Sequence, residues 1–219
     1  GSTKRWITDE VSRLGASREG RSPAARRPFV GGHPIAGVEK SGFESSRPDL
    51  FEGQPWVLTI PRPHGLGTGD AGGAAGEAAV RVSALAAGLG ARPMVMSPEE
   101  HDRLLAVTSH LPYLLSLLVV HLGARAAGSQ PALADFVAGG YRDATRLALQ
   151  DPAMGTDILA TNASELEPAL RGLAALADDL LQRLSDTNPA AGGDSAHILA
   201  FAAEARALRL ELGRLKRWP

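Results

Sequence analysis

The chain has 219 residues, with 23 basic against 24 acidic side chains and a hydrophobic share of 44%, enough for one large domain or two small ones around a buried core. The near-zero charge balance offers no field for nucleic acid and no tail for an anionic membrane, so neither is expected as a partner. Cysteine is absent, which excludes disulfides and thiolate catalysis and accords with a cytoplasmic chain.

Aromatic residues are only 5% of the chain, which favours close-packed helices over a β-sandwich. The polar opening, Gly1-Ser2-Thr3-Lys4, has no secretory hydrophobic segment. Ile7, Val11 and Leu14 share one helical face and predict a helix over 3–15. Residues 16–28 read as a solvated loop. Pro28-Phe29-Val30 predicts a short strand ending in a turn at Gly31-Gly32, with His33 just past the strand end. A second strand covers 56–60 and stops at Pro61 and Pro63; a helix over 78–89 and a strand over 93–96 follow. Strand, helix, strand in this order reads as the tail of an α/β sheet.

From Ser97 onward only helical patterns occur. Ser97 as N-cap, Pro98 in the first turn and Glu99-Glu100 behind it make a helix start, and the helix is expected to run to about residue 126. Its stretch 111–122 is apolar on nearly every side but spans only about twelve residues, short of the roughly twenty a membrane needs. It is therefore expected as an enclosed helix. Shorter helices are expected at 131–137 and 141–149, joined through Gly139-Gly140. Leu166, Leu170, Leu173, Leu176, Leu180 and Leu184, then Ile198, Ala202, Ala205, Leu208, Leu212 and Leu215, predict a helical hairpin with a small-residue seam for a partner. The boundary between the α/β part, 1–96, and the all-α part, 97–219, falls near Ser97.

Gly67-Thr68-Gly69-Asp70-Ala71-Gly72 fits the dinucleotide pattern G-x-G-x-x-G. Prolines and His64 separate it from the preceding strand, however, and no carboxylate occurs about twenty residues on, at 88–92. The stretch 65–76 reads instead as low-complexity linker. The six histidines, His33, His64, His101, His110, His121 and His197, have no metal-ligand spacing, and no metal is expected. His33, among glycines at a strand end, can exchange a proton near neutral pH; on this pattern alone, a turn-stabilising histidine serves equally well.

Gly31-Gly32-His33-Pro34-Ile35-Ala36-Gly37-Val38-Glu39-Lys40-Ser41-Gly42 resembles the G-G-H-P-[MI]-A-G-x-E-x-S-G block of the prephenate dehydrogenase family. Further blocks resemble that family in its own order: Gly1-Ser2-Thr3-Lys4; Asp49-Leu50-Phe51-Glu52-Gly53 followed by Val57-Leu58-Thr59; Ser97-Pro98-Glu99-Glu100-His101-Asp102; Ser109-His110-Leu111-Pro112-Tyr113; and Gly139-Gly140-Tyr141-Arg142-Asp143-Ala144-Thr145-Arg146 followed by Asp151-Pro152. Together they span roughly residues 1–155.

The resemblance implies a remnant of a Rossmann-like dinucleotide-binding sheet followed by an all-α substrate-binding and dimerisation domain, similar to the C-terminal domain of 6-phosphogluconate dehydrogenase, in a homodimer. It implies NAD or NADP as cofactor, with the true fingerprint upstream of residue 1, so that this chain alone is expected to bind cofactor weakly and to be inactive. The implied reaction is oxidative decarboxylation of prephenate to 4-hydroxyphenylpyruvate, or of arogenate to tyrosine. By the resemblance, His33 accepts the hydrogen of the substrate's ring hydroxyl and Ser2 shares that contact. Arg146 grips a carboxylate, while His110, Glu39, Tyr113 and Gly139 contact or tune the substrate. Plainer readings stand beside these: His110 as a packing histidine, Glu39 as a solvated charge, Gly139-Gly140 as a helix-stop turn. Two departures leave the substrate open: Tyr113 stands where the family has a second histidine, and Gly155 where many relatives have tryptophan. A β-hydroxyacid dehydrogenase would want a lysine on the long helix, and 99–126 has none. A non-catalytic helical dimerisation module is the alternative from another class.

Overall fold

A computed structural model describes residues 3–16, 29–37, 43–60, 74–187 and 194–216. Helix α1 (Arg5–Ala16) is followed by strand β1 (Gly31–Pro34), strand β2 (Pro55–Thr59), helix α2 (Ala74–Gly88) and strand β3 (Arg92–Met96). The sheet order is β1-β2-β3, with β1 antiparallel to β2 and β2 parallel to β3. The parallel pair needs a crossover, and α2 supplies it, laying Ala78, Ala79 and Ala86 on the sheet. Val57, Leu58 and Thr59 of the central strand are buried. Gly90, at φ 78°, makes the turn from α2 into β3, a backbone conformation that other residues enter at a cost.

One expectation is corrected here. The strand does not end before the histidine: it begins at Gly31 and carries His33 within it, opposite Val57. The reason is steric. A Cβ at Gly31 would run into Thr59 Oγ1 and sit 3.0 Å from Lys4 Cδ, so the glycine lets β1 lie close against β2 instead of turning away.

After β3 every described element is helical. Ser97 caps α3 (Pro98–Leu105) by accepting from the Glu100 amide at 3.1 Å. A π-helical turn (Ala106–His110) then leads into α4 (Leu111–Ser129). Pro112 has no amide hydrogen to give a residue one turn back, and the wider turn, with the Leu111 amide bonded to Ala106 O, absorbs that fault. A 3-10 turn (Pro131–Phe136), α5 (Gly139–Thr145), a second 3-10 turn (Arg146–Leu149) and α6 (Pro152–Thr161) follow, then α7 (Ala163–Asp186) and α8 (Ala196–Lys216). Gly139 and Gly140 open α5 rather than joining two helices.

One packing expectation is also corrected. Helix α4 is not enclosed by its own chain: Tyr113 and Ser116 are its buried residues, while Leu122 is 70% exposed. Its neighbours α5 and the two 3-10 turns are short and cover part of its surface only. The continuous helical stretch Pro98–Ser129 is long and apolar enough to cross a membrane by length and composition. Helices α7 and α8 form as the leucine spacing predicts, and their Leu176, Leu184, Leu199, Leu208 and Leu212 are 51–71% exposed. By contact density the chain forms two compact units, 1–166 and 167–219. Within the second, the Arg183 guanidinium lies over the Phe201 ring, 5.7 Å from its centroid.

Candidate active site

In the first unit, a cavity of about 1000 Å3 is bounded by Thr3, Lys4, Trp6 and Ile7 at the start of α1, by residues 29–33 leading through β1 to His33, and by Met154, Asp157, Ile158 and Thr161 of α6. Thr3 and Thr161 share a hydrogen bond between their hydroxyls at 3.0 Å, joining the two sides. Because β1 lies flat on β2, His33 is held by a paired strand and not by a free turn.

A line of buried polar groups runs behind that imidazole. His33 Nδ1 is 2.8 Å from His101 Nε2, and His101 Nδ1 is 2.7 Å from Asp102 Oδ1. His101 and Asp102 are 2% and 1% exposed. Asp102 also accepts from the backbone amides of Lys4 (2.8 Å) and Arg5 (2.8 Å). It thus caps the first turn of α1 from a distant helix, satisfying amides that have no partner within α1. Asn162 completes the cluster, its side-chain amide donating to Asp102 O at 2.8 Å and to His110 Nδ1 at 2.9 Å.

The electrostatics follow from burial and partners. Burial, with the Lys4 ammonium and the His101 and His110 rings nearby adding to it, pushes the His33 pKa down from 6.5 to about 4, so its ring is neutral near pH 7. Burial alone would raise the Asp102 carboxyl, but hydrogen bonds from His101 and from the Arg5 and Lys4 amides hold it below the usual range. Burial lowers both Lys4 and His110, each opposed by the attraction of Asp102. Since His110 Nδ1 accepts from Asn162, the neutral ring carries its hydrogen on Nε2. That buried atom has no hydrogen-bond partner among the described residues. An unmatched buried donor is costly.

The other residues singled out in the sequence are distributed differently. Tyr113 is buried and packs on Gly155: a Cβ at 155 would come within 2.5 Å of Tyr113 Cζ and 2.8 Å of Cε1. The two departures from the family pattern are therefore one steric event. Arg146 is exposed at the start of a 3-10 turn and is not among the residues bounding the His33 cavity. Gly139 is exposed, with nothing within 4 Å of where its Cβ would be. Ser2, Glu39 and the glycines 67–72 lie outside the described residues. Sequence reasoning gave no role to His101, Asp102 or Asn162. The adjacent His-Asp pair near the start of a capped helix was a usable signal for the first two; Asn162 had none.

Residues 97–191 match the family model described as "Prephenate dehydrogenase, dimerization domain", and residues 1–65 match "Prephenate dehydrogenase, nucleotide-binding domain". The chain belongs to the prephenate dehydrogenase family. It is 35% identical over 166 residues to the prephenate dehydrogenase of Bacillus subtilis, covering 76% of this chain and 40% of that protein. Over 143 residues it is 33% identical to the cyclohexadienyl dehydrogenase of Zymomonas mobilis, covering 65% of this chain and 45% of that one. Among solved structures it resembles prephenate dehydrogenase from A. aeolicus in complex with hydroxyphenyl propionate and NAD+, with a TM-score of 0.74 and 28% identity over 97% of this chain and 65% of that one. The fold is also that of Synechocystis arogenate dehydrogenase, at a TM-score of 0.66 and 22% identity, covering all of this chain and 68% of that chain. The chain spans about two fifths of the length of the Bacillus relative it matches.

Proposed function

We propose that the chain is the catalytic and dimerisation portion of a cytoplasmic, homodimeric NAD(P)-dependent prephenate dehydrogenase, with arogenate as the alternative substrate. The observation that carries this reading is His33 on the cavity wall, neutral and backed by His101 and Asp102. A neutral imidazole there accepts the proton of the substrate's ring hydroxyl as the carbon beneath it is oxidised. The oxygen–hydrogen pair becomes the second carbonyl bond and the carbon–hydrogen pair leaves as hydride. The carboxylate on the opposite ring carbon departs as carbon dioxide, and its bonding pair aromatises the ring while the carbonyl pair returns to the oxygen, which takes back the proton from His33. The products are 4-hydroxyphenylpyruvate and carbon dioxide from prephenate, or tyrosine and carbon dioxide from arogenate.

The cavity suits the reacting end of the cofactor. Ile7, Phe29, Val30 and Ile158 make an apolar wall, with the hydroxyls of Thr3 and Thr161 beside it, a donor set fitted to a flat, weakly polar ring such as nicotinamide. Bound NAD(P)+ supplies the acceptor for the hydride and its electron pair. The buried His110 Nε2 hydrogen offers a donor to a substrate oxygen. We assign Ser2 to the hydroxyl contact, and Arg146, Glu39, Tyr113 and Gly139 to substrate recognition and its tuning. We also place the boundary between the nucleotide-binding and helical domains near Ser97, where the match to the dimerisation-domain model begins. Exposed leucines on α4 and α8 supply apolar surface for a second copy.

The test uses the full-length encoded polypeptide, assayed for prephenate- and arogenate-dependent NAD(P)H formation. Turnover of one of them, lost by about 10³-fold or more in His33→Asn, is expected from removal of a general base. Turnover of neither would refute the assignment.

A further inference from the structure

The hydrogen bonds behind His33 admit one self-consistent arrangement of protons when both rings are neutral. Asp102, held as a carboxylate, only accepts, so His101 donates from Nδ1. A neutral imidazole that donates from Nδ1 accepts at Nε2, so His33 donates from Nδ1 across the 2.8 Å contact. We propose that His101 and Asp102 are positioning residues that set the tautomer of His33, keeping the hydrogen on Nδ1 and leaving Nε2 as the ring's proton acceptor.

Two further features support this assignment. The relay is rigid, because Asp102 is fixed at its far end by the Lys4 and Arg5 amides and by its own place in α3. Its far end is also dry, since His101 and Asp102 are nearly fully buried and water has no access to compete for the bond between them. The groups facing His33 are Lys4, His101 and His110, all of which oppose charge on it, with Asp102 one ring further away. When His33 takes a proton at Nε2, its Nδ1 hydrogen stays on the bond to His101, so the new charge meets an oriented acceptor without rearrangement.

The kinetic consequence rests on the dehydrogenase reading; the tautomer does not. In nitrogen-15 NMR of the chain with labelled histidine, near neutral pH, His33 is expected to show a protonated Nδ1 and a bare Nε2. His101→Phe removes the acceptor and should abolish that preference. His101→Gln, with an oxygen for His33 and an amide hydrogen for Asp102, should retain it. In the full-length encoded polypeptide, His101→Phe should lower kcat about 10²-fold with KM within a few-fold, and His101→Gln should recover about tenfold of the loss. A wild-type spectrum with His33 protonated at Nε2 overturns the proposal, even if the Phe variant does not fold. So does a folded His101→Phe variant whose tautomer and kcat are unchanged. The expected spectra without turnover of prephenate or arogenate uphold the relay and remove the dehydrogenase reading instead.

Discussion

Replacing Asp102 by asparagine tests the carboxylate on which the site and the start of α1 both depend. Asp102 Oδ1 accepts from the Lys4 amide and lies 2.7 Å from His101 Nδ1, while Oδ2 accepts from the Arg5 amide at 2.8 Å. Asparagine keeps one acceptor oxygen and puts an NH2 donor in place of the other. With the oxygen toward His101, the new donor faces the Arg5 amide. With the oxygen toward Arg5, it faces His101, which must then move its hydrogen to Nε2 and reverse the line to His33. Either orientation loses one hydrogen bond to a charged acceptor, worth about 1.5–3 kcal/mol. It also loses the favourable charge at the α1 N-terminus, worth about 0.3–1 kcal/mol. The expected cost is therefore about 2–4 kcal/mol, read as a lower urea midpoint at unchanged m. The carboxyl pKa is depressed on folding, so this contribution is present above the ordinary carboxylate range and fades as pH falls through the folded value. The gap between wild type and variant should narrow in acid. A loss below about 1 kcal/mol at neutral pH, with m unchanged, would mean that the carboxylate is not carrying these bonds.

Gly155→Trp alone should destabilise the chain by about 3 kcal/mol or more, because the indole must displace the buried Tyr113 ring. Adding Tyr113→His should restore over about 1 kcal/mol in a double-mutant cycle, and additive losses would show that the two positions are not coupled. Asn162→Ala removes two buried hydrogen bonds, to Asp102 O and His110 Nδ1. It should cost about 2–3 kcal/mol in denaturant titration; a near-neutral change would contradict the cluster. The His33 pKa falls from 6.5 to about 4 on folding, so the unfolded chain takes up this proton first as pH drops. The resulting stability is full above pH 6.5 and is lost on descent toward pH 4, at most about 3 kcal/mol. In the active enzyme the acid limb of kcat/KM should accordingly lie well below pH 6; a limb at 6.5 would show that His33 is solvated.

Legibility differed from element to element. The start of α3 could be read because Ser97, Pro98 and the two glutamates act within one turn, where local chemistry decides the outcome. Strands β2 and β3 were legible from β-branched and apolar runs stopped by prolines or by a helix cap. Strand β1 was misplaced because two glycines read locally as a turn, whereas the space beside Thr59 and Lys4 makes them strand residues. Helix α6 was not anticipated: its ten residues carry no strong apolar stripe, and its Asp151 cap acts on the Ala153 amide without a run of periodic leucines behind it. The enclosure of α4 was over-read, since an all-round apolar helix states that it needs cover but not that its own chain provides it.

For this protein the sequence alone determined the family, the order of strand and helix, and the histidine placed at the site, because ordered motifs and short-range periodicity are written along the chain. Only the tertiary structure decided which groups stand behind that histidine. His101 is 68 positions from His33, and Tyr113 meets Gly155 across two helices. Such contacts depend on how strands and helices pack in three dimensions, and no spacing along the chain encodes that distance.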